Sequence, residues 1–322
     1  MTDDARTRIL RGLPTNGADP TDDLSGLEHW VEPVDWPTFL ADDATGMEWL
    51  VEPIIPAGAQ VAIWARAKVG KSLLALDMSA ALATGRPVLG APPVDPLDVL
   101  YVDMENPAAD VRARVFDLGY TAASDLSRLH YFHIPSLPNL DFDTGGAVLA
   151  AQVARYDAKL VVVDTLASCV GGKENEADTY RGFYRFTGKR LRATGTALVR
   201  LDHGGKEREK GPRGSSAKDD DVDVVFEMVT GGDQLVLRRT RSRFAYVPAE
   251  VRLNRHLEPR LRHELAPVAL PDGTFDVVGE LDTLAVPLDA AVRVAQNALR
   301  ESGNGRRWEV VSAALKYRRE HR

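Results

Sequence analysis

Residues 60–76 read QVAIWARAKVGKSLLAL. Val61, Ala62, Ile63 and Trp64 form a short apolar run, which predicts a buried strand. Residues 65–72 supply a turn ending in Gly70-Lys71-Ser72. Leu73, Leu74 and Leu76 then open an amphipathic helix that runs through Met78 and Leu82 to a stop at Gly85. Strand, glycine-bearing turn and helix, in that order, are the parts of a phosphate-binding loop. In such a loop successive backbone N–H groups curl around phosphates, and the unpaired N–H groups of the new helix add to them. Lys71 reaches the β and γ phosphates, and the Ser72 hydroxyl is placed to bind Mg²⁺. The expected nucleotide contacts are therefore Ala65, Arg66, Ala67, Lys68, Val69, Gly70, Lys71, Ser72 and Leu73. The full pattern opens with glycine, and here that position is Ala65, which admits φ > 0 less readily. Arg66 and Lys68 add positive charge. The plainer alternative is a chance Gly-Lys-Ser at the start of an ordinary helix; the strand before and the helix after favour the phosphate loop.

A chain of 322 residues is long enough for a large core and two domains. Its hydrophobic content of 44% and charged content of 27% are those of a globular protein. The net charge of −7 excludes a wholly basic nucleic-acid-coating protein but allows local basic patches. Cys169 is the sole cysteine, so an intrachain disulfide and a cysteine-rich zinc site are excluded. No apolar run approaches the length of a membrane span, and the opening MTDDARTRIL lacks the apolar segment of a secretory signal. These features predict a cytoplasmic protein with no membrane partner.

Three segments are expected: a mobile arm over 1–45, an α/β core over 46–265 and a C-terminal segment over 266–322. The arm is rich in Asp, Pro, Thr and Gly, with Trp30 and Trp36 expected to dock locally. Residues 49–55 read as an edge strand leading into the phosphate-loop strand. The next strand, 99–103, ends at Met104-Glu105-Asn106; Asn106 is a good N-cap and Pro107 a good first residue for a helix reaching Leu118. Glu105 thus sits at the carboxyl end of a buried strand, the edge where open α/β sheets bind ligands. A strand over 129–134 and a helix over 147–156 precede Leu160-Val161-Val162-Val163-Asp164. Asp164 is the expected Mg²⁺-associated carboxylate; the alternative is a strand-ending Asp that caps the next turn. A helix over 179–193 and a strand from Ala197 lead to Asp202-His203, where His203 either senses the γ-phosphate or is an ordinary polar strand end. Strands over 224–228 and 235–239 form a hairpin. Strand and helix alternate, then a hairpin follows. This predicts a mostly parallel sheet flanked by helices, with antiparallel edge strands. Helices over 287–301 and 308–319 are expected to form a small helical tail.

The order and spacing of these pieces resemble the RecA-fold hexameric ATPases, in particular the RepA-like replicative helicases of plasmids and related phage proteins. The resemblance spans about residues 49–244. It rests on AKVGKS (67–72), MEN-P after LYVD, SLPN (136–139), VVVDTL, LDHGGK and RGSS (213–216). It implies ATP and Mg²⁺ as cofactors, a homo-hexameric ring with hydrolysis at subunit interfaces, and single-stranded DNA in the channel. By this resemblance Lys71 and Ser72 are the phosphate-loop pair and Glu105 the catalytic glutamate. Asp164 is the metal-associated aspartate, and His203 the second member of a His-His pair whose first is Asp202 here. Arg114 matches an arginine kept on the helix after the glutamate, with a nucleotide or interface contact implied. At the position of the RepA arginine finger this chain carries Asp223. DnaB-type helicases place a Lys-x-Arg pair on a later strand, and Arg241-Ser242-Arg243 resembles it. Arg243 is thus the expected finger in trans, with Arg241 assisting.

Loops 171–178 and 204–213 correspond to DNA-binding loops of that fold. Lys173, Lys206, Arg208, Lys210 and Arg213 are the expected phosphate contacts on DNA. No stacking aromatic lies in the second loop, so base-specific reading is not expected. The expected function is an ATP-driven DNA helicase or translocase in phage or plasmid replication. The alternatives are a recombination mediator or helicase loader that uses ATP as a switch, and a RecA-fold regulator that binds no nucleic acid.

Overall fold

In a computed structural model, residues 34–41, 48–172, 176–204, 221–232, 234–267 and 271–321 are described. They divide into two compact units, Met1–Leu265 and Ala266–Arg322.

The first unit is organised by β3 (Gln60–Ala65), whose six residues are all buried. Val61, Ile63 and Ala65 belong to one face of the sheet, Ala62 and Trp64 to the other, as the two-residue period of a strand demands. β3 lies inside a nine-stranded sheet ordered β11-β10-β9-β8-β3-β7-β6-β4-β5. Its parallel part comprises β4 (Val99–Asp103), β5 (Leu129–His133), β6 (Leu160–Asp164), β7 (Ala197–His203) and β8 (Val224–Gly231) around β3. β9 (Gln234–Ser242), β10 (Glu250–His256) and β11 (Arg262–Leu265) extend it in antiparallel fashion. Helices cover both faces: α2 (Lys71–Thr84) packs on the side of Val61 and Ile63, and α4 (Asp143–Tyr156) on the side of Leu100, Val161 and Leu198. This is the expected RecA-like α/β architecture.

Several expected elements differ in detail. Residues 49–55 are not a sheet edge: β1 (Trp49–Val51) and β2 (Ile55–Pro56) form a separate antiparallel hairpin, because Glu52 and Pro53 turn the chain. β10 and β11 were not foreseen; Val251 and Leu253 are the only buried apolar pair in β10, too short an alternation to stand out among charged neighbours. α3 spans Ala108–Asp117 with Pro107 as its cap position, and Asn106 does not cap it. The helix at 147 begins four residues earlier, at Asp143, with Gly145 and Gly146 inside it. A Cβ at Gly146 would stand 2.0 Å from the Phe186 carbonyl oxygen, and one at Gly145 2.1 Å from that of Asn139. These glycines are therefore close-approach sites rather than helix breakers. The expected helix over 179–193 is α5 (Ala177–Phe183) and α6 (Lys189–Ala193), joined by a π-helical segment, Tyr184–Gly188. In the N-terminal region, α1 (Trp36–Ala41) is a short helix and Trp36 is exposed; Trp30 lies outside the described residues.

Among its described residues the second unit holds three helices, not the expected pair: α7 (Thr274–Thr283), α8 (Val292–Glu301) and α9 (Trp308–His321). Val277, Leu281, Leu299 and Val311 form its core. α8 starts at Val292, not at Pro287, and arginines of α9 satisfy the connection: Arg318 donates to the Val286 carbonyl at 2.8 Å and Arg319 to that of Ala290 at 2.9 Å. Arg318 also pairs with Asp282 at 2.9 Å. Part of the basic C-terminal end is thus spent on structure. Among the described residues no helix is long and apolar enough to cross a membrane.

Candidate active site

Ala65 is the last residue of β3, in register with His203 of β7 and Met228 of β8. It lies in extended backbone, so alanine in place of glycine costs nothing there. The left-handed positions of the loop are Lys68, at φ 67°, and Gly70, at φ 109°. Arg66, Ala67 and Lys68 are exposed, Val69, Gly70, Ser72 and Leu73 half-buried, and Lys71 buried. α2 begins at Lys71 with no side chain capping it, which leaves its first N–H groups for an anion.

The other candidate residues converge on the same edge of the sheet. Ser72 Oγ donates to Asp164 Oδ1 at 3.1 Å. Asp164 Oδ2 accepts from the Tyr101 hydroxyl at 3.0 Å and from Asn106 Nδ2 at 3.5 Å. Beside it Asp103 Oδ1 accepts from the backbone N–H of Glu105 at 2.9 Å and of Asn106 at 3.0 Å, and from Asn106 Nδ2 at 3.0 Å. Asn106 is thus committed to the two aspartates, which explains why it does not cap α3. The Tyr131 hydroxyl donates to Asp103 Oδ2, and its ring stacks on Tyr101 at 4.9 Å.

Burial raises the Asp164 carboxyl, with Asp103 pushing the same way; the bonds from Ser72 and Tyr101 and the charge of Lys71 oppose them. Burial and Asp164 together raise the Tyr101 phenol well above its usual value, so it stays a neutral donor. A fully buried carboxylate under this strain, facing a hydroxyl 3.1 Å away, is a hard-oxygen donor set that fits Mg²⁺. Ser72 and Asp164 are the residues that would hold it.

Glu105 Oε1 accepts three bonds: from Thr165 Oγ1 at 2.6 Å, His203 Nε2 at 3.0 Å and Ser168 Oγ at 3.2 Å. Burial pushes the Glu105 carboxyl up, but the bonds from Thr165 and His203 and the charges of His203 and Lys71 outweigh it. The net effect is a lowered pKa. Glu105 is an anchored carboxylate, with Oε2 left to accept a proton. Thr165, Ser168 and Tyr101 were missed by sequence reasoning. Thr165 carried a signal, since it directly follows the strand-ending Asp164.

Asp202, which stands where a histidine is expected, pairs instead with Arg200 at 3.2 Å, both side chains buried. Arg114 is half-buried on α3; burial and Asp103 raise the Tyr131 phenol, and the charge of Arg114 opposes them without reversing the shift. Arg241 and Arg243 lie at the amino edge of the parallel strands: Ser242 is in register with Val224, and the Arg243 N–H donates to the Asp223 carbonyl at 2.8 Å. The Arg243 guanidinium is 3.5 Å from the Asp223 carboxylate, at the opposite edge from its own phosphate loop. Lys173, Lys206, Arg208, Lys210 and Arg213 lie outside the described residues.

A phosphate loop after a central parallel strand, with an acidic strand end two strands away, defines the class: a P-loop ATPase domain. Sequence comparison is more particular. Residues 29–209, more than half of the chain, match the family described as AAA domain, and the chain belongs to that family. Among solved structures it is similar to the flagellar accessory protein FlaH from Methanocaldococcus jannaschii, at 14% identity and a TM-score of 0.46, covering 66% of this chain and 92% of that one. Comparison with curated proteins gives no match.

Proposed function

We propose that this protein hydrolyses ATP and uses the cycle to move along single-stranded DNA, as a helicase or translocase of the RepA-like class. The observation that carries the proposal is the three-donor anchor on Glu105, one donor of which is His203. Lys71 and the bare N-terminus of α2 bind the phosphates. Ser72 and Asp164 would hold Mg²⁺, which would supply charge neutralisation of the phosphates. Glu105 Oε2 accepts the proton of the attacking water while Oε1 stays anchored by Thr165 and Ser168. His203 is the last residue of β7, and the loop expected to meet DNA follows it directly. Loss of the Glu105–His203 bond during the cycle would therefore be felt at the start of that loop.

Arg243 supports hydrolysis shared between copies. At the amino edge it cannot serve its own loop, so a neighbouring copy's nucleotide is its target. Single-stranded DNA is bound by the basic loop carrying Lys206, Arg208, Lys210 and Arg213, with Lys173 on the other loop, in a homo-hexameric ring.

The test is displacement of one strand of a forked DNA duplex, with ATP turnover measured in parallel. Strand displacement that requires ATP supports the helicase. DNA-stimulated turnover without displacement supports the mediator or loader. Turnover indifferent to DNA contradicts the nucleic-acid role.

A further inference from the structure

The loop has a positively charged neighbour that no part of the account above uses. β10 runs in the direction of the parallel strands and overshoots them. Val251 is opposite Leu237, which is opposite Met228, itself in register with the loop-bearing Ala65. Arg255 lies four residues further along β10, beyond the carboxyl edge. In register with it on β11 is His263, so the two side chains share a face. That face is the one α2 covers: the His263 backbone N–H donates to Asp77 Oδ2 at 2.9 Å, and His263 Nδ1 is 2.8 Å from the same oxygen. Asp77 is on α2, six residues after the loop lysine. The β10–β11 hairpin is therefore latched to the helix that the phosphate loop starts.

The latch brings the Arg255 guanidinium to the loop. A Cβ grafted on Gly70 would stand 3.7 Å from Arg255 Nη1. Glu264, which follows His263 on β11, is taken by Arg262 at 2.7 Å and His256 at 3.1 Å. Among the described residues no carboxylate or carbonyl pairs with the Arg255 side chain. An arginine brought to Gly70, in a loop that also carries Arg66, Lys68 and Lys71, adds to a positive charge that a bound anion would offset. The sheet order says which part of the anion. Asp164 ends β6 and Glu105 follows β4 by two residues; they mark the metal and γ-phosphate end on one side of β3, and Arg255, on β10, lies on the other side.

We propose that Arg255 is a phosphate-binding residue of its own subunit's site, gripping the α/β-phosphate end of the nucleotide from the side opposite Glu105. The proposal rests on the nucleotide reading of the loop. A guanidinium fork suits two phosphate oxygens, and one charge-assisted contact of this kind is worth about 1.5–3 kcal/mol, or roughly ten- to hundredfold in affinity. ATP and ADP share this end, so both are held by it.

The test is equilibrium binding of ATP and of ADP with Mg²⁺, and steady-state turnover, for the wild type, Lys71→Ala, Arg255→Ala, Arg255→Lys and Arg255→Glu. Arg255 is exposed, so its replacement leaves the core intact. The expected result is that Arg255→Ala weakens ATP and ADP alike by about tenfold or more, Arg255→Glu weakens both further, and Arg255→Lys recovers part of the loss. KM should rise with the binding loss while kcat at saturating ATP stays within about twofold. Wild-type affinity in Arg255→Ala, or a fall in kcat without a fall in affinity, overturns the assignment and leaves the nucleotide site standing. A wild-type protein that binds neither nucleotide overturns both.

Discussion

Glu105 and His203 are 98 positions apart and meet at 3.0 Å, and their bond decides the pH behaviour of the site. His203 lowers the Glu105 pKa by hydrogen bond and charge, against the upward push of burial. A carboxyl held below its usual value stabilises the fold fully above the unfolded-state value, and that contribution is lost as pH falls through the lowered one. His203→Ala removes two of the lowering causes, so Glu105 should titrate at higher pH. The acid limb of the turnover profile should move upward, and stability should begin to fall at a higher pH on acidification. At neutral pH the loss of turnover should stay within about tenfold, because Glu105 itself remains. A pH–rate profile checks this; an unmoved or downward-moved acid limb contradicts the coupling.

At the scale of elements, what could be read was what repeats. Buried runs such as Leu160-Val161-Val162-Val163 announced their strands, and the glycine stop at Gly85 announced the end of α2. What escaped depends on contacts distant in sequence. Gly146 looks like a breaker until the π-helical segment is seen against it, 40 residues later. β10 and β11 look like charged loop until β10 is paired with β9 on one side and with β11 on the other. Gly146→Ala follows from this: the backbone of Phe186 must move to admit the methyl group. The expected loss is about 1–3 kcal/mol of stability, whereas Gly279→Ala, with open space around it, should change little. Denaturant midpoints of the two variants decide the matter. Equal midpoints would contradict the packing described for α4.

For the whole molecule, the candidate site was legible because its parts sit at the carboxyl ends of successive parallel strands, a rule of the fold that strand order in the sequence already carries. Lys71, Ser72, Glu105, Asp164 and His203 were found that way. The contacts of Thr165, Ser168 and Tyr101, and the contact proposed for Arg255, were not, because they are set by side-chain reach. If Arg243 serves a neighbour's nucleotide, Arg243→Ala and Lys71→Ala should each lose ATPase activity, and mixing them should restore part of it. In a mixed ring some interfaces then combine an intact loop with an intact arginine. No recovery on mixing would contradict the shared site.

The central claim is that the loop holds a triphosphate which the anchored Glu105 helps to hydrolyse. Its most direct test is Glu105→Gln, measured for ATP binding with Mg²⁺ and for turnover beside the wild type. The account predicts binding within about twofold of the wild type and turnover reduced about a hundredfold or more. Turnover at the wild-type rate in this variant, or a wild-type protein that binds no ATP, would contradict it.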